Sequence, residues 1–234
     1  SGTFEPVPLD LTKQPMNTKW IFKQKPNGAL KSRIVVKGFG EPVESITDFY
    51  AATVQQTSLR VTTIVALTRG YVSASFDVKA AFLQAPLGPD DKLYIHIPDG
   101  YDSPEYKGKM FKLKRSLYGL RSAPRRWQEE LGNTLIKLNF VKLRCDPAVY
   151  LGPDNNIIVA VYVDDSRVYA EYENLIHDLF TKIGEKYDYT VSTPENGGEY
   201  FLGHTWNYNR STRTCVIDRS RGINDMLAKY KMTD

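Results

Sequence analysis

The chain has 234 residues, a net charge of +4, and 41% hydrophobic and 12% aromatic content. That is enough apolar material for one globular unit or two closely packed subdomains, and it excludes a disordered chain. No apolar run reaches the roughly eighteen residues of a membrane-spanning helix, and Cys145 and Cys215, with no CxxC, give neither a disulfide framework nor a zinc site and fit a reducing, intracellular setting.

In chain order, Trp20-Ile21-Phe22-Lys23 and Leu30 to Val36 flank Lys25-Pro26-Asn27-Gly28, and Asn-Gly between extended runs predicts a hairpin. Thr57 to Arg69 reads as a helix with Thr/Ser capping residues, carrying Leu59, Ile64, Val65 and Leu67 and ending before Gly70. Tyr71 to Phe76 reads as a strand running into Asp77, and Leu93 to Ile97 as a strand within a Pro-, Gly- and Asp-rich insertion. Pro124 suits a first helical turn, and Trp127, Leu131, Leu135 and Leu138 follow at helical spacing, predicting a helix over 123–138. Ala148 to Leu151 and Ile157 to Val163 form a second predicted hairpin, the latter apolar on both faces as a central strand is. Asp164-Asp165 follows, then an antiparallel return over Ser166 to Ala170. Leu175, Ile176, Leu179, Phe180 and Ile183 mark another helix, followed by a strand pair near 200–208 and 214–217 and a helix from about 221.

The central order is strand, helix, strand, strand, helix, strand. That is the split βαβ, ferredoxin-like order, which predicts an α+β fold with two helices on one face of an antiparallel sheet and the other face open to a ligand such as a duplex. A strand end at Asp77 and a hairpin tip at Asp164-Asp165 can be neighbours there. Three such carboxylates repel one another without cations; with two Mg²⁺ ions they form a site for in-line phosphoryl transfer. The plainer reading of the residues is turn chemistry at Asp-Asp and a helix cap at Asp77. His96, His177 and His204 have no metal-binding spacing and read as structural or exposed. Between residues 109 and 126 lie Lys109, Lys112, Lys114, Arg115, Arg121, Arg125 and Arg126 with no acidic residue. Such a block is a solvated basic face or a polyanion-binding one.

Six ordered blocks carry a resemblance. Tyr162-Val163-Asp164-Asp165 matches the YxDD motif of reverse transcriptases, and Phe76-Asp77-Val78-Lys79-Ala80-Ala81-Phe82-Leu83 resembles their first catalytic motif. Ser116 to Trp127 (SLYGLRSAPRRW), Lys31 to Phe39 (KSRIVVKGF), Asp146-Pro147-Ala148-Val149-Tyr150 and Phe201-Leu202-Gly203 also fall in the family's order. Over about Phe4 to Lys231 the chain resembles the reverse transcriptase, an RNA-directed DNA polymerase, of copia-type LTR retrotransposons.

The resemblance implies a right-hand polymerase fold: fingers at 1–52 and 85–117, palm with a ferredoxin-like (RRM-like) sheet at 53–84 and 118–205, and a primer-grip region leading to the thumb at 206–234. It implies Asp77 and Asp164 as principal metal ligands, with Asp165 supporting and the Val78 carbonyl completing one site for two Mg²⁺ ions that Mn²⁺ can replace. Ala80 and Ala81 would offer amides to the triphosphate, and Arg33, with Lys31 nearby, would close over it. Phe82 would be the steric gate against a 2′-OH, its plain alternative being a core ring. Tyr118 and Gly119 would lie under the templating pair, and Arg121, Arg125 and Arg126, with Tyr162, would contact template or primer. Phe201, Leu202 and Gly203 would form the primer grip, the plainer reading being a strand with a bulge. The implied partners are an RNA or DNA primer–template and deoxynucleoside triphosphates, without a membrane, alongside RNase H and integrase as further polyprotein domains. The implied location is the cytoplasm, in virus-like particles, with the nucleus as the alternative.

Three residues depart from the family pattern. Ser166-Arg167 follow the motif where apolar residues are usual; if the face carrying Arg167 and Tyr169 is buried, Arg167 needs an anionic partner. Ser122 stands where the family has Gln, which weakens a template-side hydrogen bond. These departures support a second function, a nucleic-acid-binding module without turnover. A third, a nucleotidyl cyclase with a related palm, is opposed by the fingers block around Arg33 and by the L-Y-G-L block.

Overall fold

The computed structural model describes residues 2–24, 28–42, 49–101, 103–193 and 199–232. Lys25, Pro26 and Asn27 of the expected first turn lie outside the described residues. In chain order the elements begin β1 (Phe4–Pro8), β2 (Thr18–Gln24), β3 (Leu30–Val36), α1 (Gln56–Arg69), β4 (Val72–Val78), α2 (Ala81–Gln84), β5 (Tyr94–His96), β6 (Lys109–Leu113) and α3 (Ala123–Lys137). They continue β7 (Val141–Lys142), β8 (Val149–Leu151), β9 (Ile157–Tyr162), β10 (Asp165–Ala170), α4 (Glu173–Gly184), β11 (Tyr189–Ser192), β12 (Glu199–Phe201), β13 (His204–Asn209), β14 (Thr214–Asp218) and α5 (Ser220–Lys229). The chain divides into two compact units, one of residues 1–51 and 80–133, the other of 52–79 and 134–234.

In the first unit, β2 and β3 pair antiparallel as the hairpin pattern predicts, and a separate sheet runs β1-β6-β5. Strand β5 is shorter than expected, because Leu93 and Ile97 flank it outside the ladder. The core gathers Met16, Val36, Leu93, Ile95, Phe111, Leu113, Leu117 and Leu120, with Phe4 stacked on Phe111 at 5.2 Å between ring centroids.

The second unit holds a six-stranded sheet in the order β11-β4-β10-β9-β8-β7, antiparallel throughout. The four strands of the split βαβ pattern are β4, β9, β10 and β11, and they lie side by side as the pattern requires. Ile157 to Val161 of β9 are all buried, which is why that strand reads as apolar on both faces. Helix α4 buries Ile176, Leu179, Phe180 and Ile183, with Phe180 edge-on to Phe76 of β4 at 5.5 Å. A bond of 2.8 Å between the Thr134 and Tyr187 hydroxyls ties the end of α3 to the turn after α4.

Helix α1 corrects the sequence reading. Its buried residues are Leu59, Thr62, Thr63 and Ala66, at i, i+3, i+4 and i+7, while Ile64 is exposed. Small side chains let the helix approach β10, where the Thr63 and Tyr169 hydroxyls meet at 2.6 Å. No side chain caps its N-terminus; the Gln55 amide donates instead to the buried Asp146 carboxylate at 3.0 Å. Gly70 ends the helix in a left-handed conformation at φ 68°, as the stop signal predicts.

The face expected to be open is partly covered. Register places Ser166 and Val168 on the face of Phe76 and Ala74, toward α4, and Arg167 and Tyr169 on the opposite face. There Tyr169 meets α1, and it meets β13 through Tyr208 at 5.9 Å between ring centroids. The expected strand pair is a three-stranded sheet, β12-β13-β14, whose Phe201, Trp206 and Tyr208 join this core. These aromatic residues supply the apolar area that covers the face.

Candidate active site

Asp77 lies next to last in β4 and Asp165 opens β10, and the two are direct partners in the β4–β10 ladder. Direct partners in an antiparallel pair point to the same face, with Cβ atoms roughly 5 Å apart. Asp164 occupies the two-residue turn between β9 and β10, and its carbonyl accepts the Val78 amide at 3.1 Å. The hairpin tip is thereby fastened to the end of β4. Asp164 is exposed, while Asp77 and Asp165 are half-buried.

The turn itself is strained. Val163 sits at φ 57°, a left-handed conformation that a β-branched residue avoids. Such a conformation costs on the order of 1–3 kcal/mol and persists only where its surroundings enforce it. The flanking ladder from Asp165↔Tyr162 to Ala170↔Ile157 supplies that enforcement.

Burial, then Asp164, then Asp77 push the Asp165 carboxyl up to about 6. The last two causes mean that the three acids share one electrostatic neighbourhood. Among the described residues no three His, Cys, Asp or Glu side chains enclose a point where a metal ion could sit. The carboxyls are neighbours rather than a closed cage. Their chemistry fits a hard divalent cation, which takes carboxylate oxygen and offsets the repulsion that raises Asp165. Tyr162, the partner of Asp165 in β9, is 37% exposed beside them.

In the first unit, residues distant in sequence meet. The Arg33 guanidinium lies over the Tyr118 ring at 5.1 Å, and the edge of Phe82 meets the same ring at 5.2 Å. The Val36 amide donates to the Tyr118 carbonyl at 2.7 Å. This approach explains two glycines: a Cβ on Gly38 would collide with the Gly119 carbonyl, and one on Gly119, at φ +92°, would collide with Val36. Lys31 is exposed on β3. Ala80 is exposed at φ 52°, and the buried Ala81 begins α2.

Other predicted residues have partners that occupy them. Arg126 forms a bidentate pair with Asp91 at 2.8 and 2.6 Å, and Arg125 pairs with Glu129 at 2.7 Å. Arg115 donates to the Leu83 and Gln84 carbonyls, and Lys114 pairs with Glu5. The basic block is therefore partly internal bracing rather than a bare cationic face. The Arg121 guanidinium lies over the Phe49 ring at 4.0 Å, while its backbone amide donates to Glu41. The Ser122 side chain is fully buried, so its difference from Gln does not present a hydroxyl to solvent.

The primer-grip words separate as well. Phe201 is 1% exposed and belongs to the core. Leu202 and Gly203, at φ 51° and 77°, form the two-residue turn from β12 to β13. Two positive φ angles mark a tight hairpin turn, so the plainer reading, a strand with a bulge, does not hold there. Val78 buries its side chain.

Sequence reasoning missed two acids. Asp146 accepts the Gln55 and Ala148 amides, both at 3.0 Å, and its only signal was its place in the D-P-A-V-Y block. Glu199 is the anionic partner that Arg167 required, at 2.8 Å with both side chains fully buried. The sole signal was the unexplained Arg167.

Comparisons with known proteins bear on the family and the fold. Residues 2–234 match the family described as reverse transcriptase (RNA-dependent DNA polymerase). The chain is 29% identical over 241 residues to the retrovirus-related Pol polyprotein from transposon TNT 1-94 of Nicotiana tabacum, covering 99% of this chain and 18% of the relative. It is 31% identical over 222 residues to that from transposon RE1 of Arabidopsis thaliana, covering 92% and 15%. The chain thus spans less than a fifth of either relative. Among solved structures, a foamy viral protease–reverse transcriptase in complex with double-stranded DNA matches with a TM-score of 0.54 at 17% identity, covering 95% of this chain and 33% of that one. At that identity the likeness concerns the fold, which mixes helices and sheets as a polymerase fold does. The chain belongs to the reverse transcriptase (RNA-dependent DNA polymerase) family, in its copia-type retrotransposon branch.

Proposed function

We propose that the chain extends a primer with deoxynucleotides on an RNA or DNA template by two-metal phosphoryl transfer. The observation that carries the proposal is the pairing of Asp77 with Asp165, with the Asp164 turn fastened to Val78. Asp77, Asp164 and the Val78 carbonyl would hold two Mg²⁺ ions, with Asp165 in support. When bound, the ions supply Lewis acidity to the attacking hydroxyl and to the departing pyrophosphate.

The palm, residues 53–84 and 118–205, falls mostly in the second unit and the fingers, residues 1–52 and 85–117, almost wholly in the first, with 206–234 leading toward the thumb. Arg33, steadied over Tyr118, binds phosphate with Lys31 and the Ala80 and Ala81 amides. Phe82, braced by Tyr118, excludes a ribose 2′-OH. Gly119 lies with Tyr118 under the templating pair. Arg121, and more weakly Arg125, contact template phosphates, Arg126 being taken up by Asp91, while Tyr162 and the Leu202–Gly203 turn contact the primer. The remaining partners are those of a Pol polyprotein, RNase H and integrase included, and the setting is a cytoplasmic particle.

The test is primer extension on matched RNA and DNA templates with Mg²⁺. The unaltered chain should extend both, and Asp164→Asn should lose at least a thousandfold while keeping its circular dichroism. Equal extension by the two proteins would refute the assignment.

One observation favours a second reading, a nucleic-acid-binding module without turnover: the three carboxyls do not already enclose an ion-sized point. Salt-sensitive binding of primer–template with no extension in Mg²⁺ or Mn²⁺ would select it.

A further inference from the structure

Asp165, Arg167 and Tyr169 share one face of β10, because alternate residues of a strand do. Arg167 reaches from that face to Glu199 at the start of β12, with Nη2 at 2.8 Å from Oε2. It also lies 3.3 Å from the Ser73 hydroxyl. Its guanidinium carbon lies over the Trp206 ring of β13 at 4.7 Å and over the Tyr169 ring at 5.4 Å. The pair is dry, with both side chains at 0% exposure; Nη2–Oε2 is an ion-pair contact rather than a well-aligned hydrogen bond, Arg Nε and Nη1 have no hydrogen-bond partner, and Ser73 is the one neutral polar group beside the carboxylate among the described residues.

This is a costly way to fill a core. Apolar residues of similar volume commonly match or exceed the stability of a buried ion pair, and such pairs are best attested as devices that fix register. The two partners belong to different sheets: Arg167 to the strand that begins with Asp165, Glu199 to the hairpin whose turn is Leu202–Gly203. Apolar contacts alone tolerate sliding between those sheets, whereas one charge facing one countercharge in a dry site does not.

We propose that Arg167 and Glu199 are positioning residues that fix the β12–β13 hairpin against the strand carrying Asp165, and so set where the primer strand sits relative to the acids. The functional half rests on the polymerase reading above; the geometric half does not.

Two variants separate these halves. Glu199→Gln should raise amide hydrogen exchange at least tenfold across β12 and β13, leaving α4 unchanged. The double variant Arg167→Met/Glu199→Leu removes both charges and should keep its melting temperature within a few degrees. In both, KM for primer–template should rise about tenfold while KM for deoxynucleotide stays put. Wild-type exchange across the hairpin in Glu199→Gln would overturn the clamp. So would a double variant that keeps the wild-type KM for primer–template, because the pair would then be filling space only. Absence of extension by the unaltered chain would defeat the polymerase reading, and the exchange measurement would still decide the clamp.

Discussion

Asp77 and Asp165 oppose each other directly across the β4–β10 ladder, although they lie 88 positions apart in the sequence. Cross-strand pairing of like charges is destabilising by itself. Asp77→Asn should therefore stabilise the fold by about 1 kcal/mol in a metal-free urea titration while abolishing Mg²⁺-dependent extension. A variant both inactive and less stable would mean that Asp77 is structural.

Val163 holds a left-handed conformation at the turn that carries Asp164. Glycine tolerates that angle, so Val163→Gly should raise stability by roughly 1 kcal/mol. Chemical denaturation reads this directly. A lower midpoint would show that packing of the valine side chain outweighs the backbone strain.

Much of the site was legible because it is written in local words. The hairpin around Asp164-Asp165, the strand ending at Asp77 and the helix after Pro124 each follow from spacing and turn chemistry. The split βαβ order then sets which strands become neighbours. Other features are non-local and leave no periodic trace. Helix α1 hides Thr62 and Thr63 because it packs closely, so hydrophobic spacing selected Ile64, which is exposed. Arg126 reads as a phosphate ligand until Asp91, 35 residues away, takes its guanidinium. Gly38 and Gly119 lie in separate motifs, yet only folding shows that they are glycines because of each other.

The arginines of the basic block should not behave alike. Arg121→Ala should weaken primer–template binding and lower the slope of log affinity against log salt by about 1. Arg126→Ala should leave that slope unchanged and cost about 2 kcal/mol of stability, because it strands Asp91. Identical salt slopes for the two variants would remove the distinction.

Asp146 is 1% exposed and accepts two backbone amides that join the start of α1 to the start of β8. Asp146→Ala leaves both donors without their acceptor and should cost about 3 kcal/mol. A loss below about 0.5 kcal/mol, the range of ordinary surface changes, would mean that water replaces the carboxylate.

Phe82 braces against Tyr118, which also underlies Arg33. Phe82→Ala should raise the ratio of ribonucleotide to deoxynucleotide incorporation at least tenfold. An unchanged ratio would return Phe82 to the status of a packing residue.

Polymerase chemistry in this chain requires the three aspartates to bind divalent cations together. Mn²⁺ binding followed by electron paramagnetic resonance, with primer–template and deoxynucleotide present, measures this without requiring turnover. The unaltered chain should bind two ions, and Asp77→Asn and Asp164→Asn should each bind fewer and more weakly. Identical Mn²⁺ isotherms for all three proteins would contradict it.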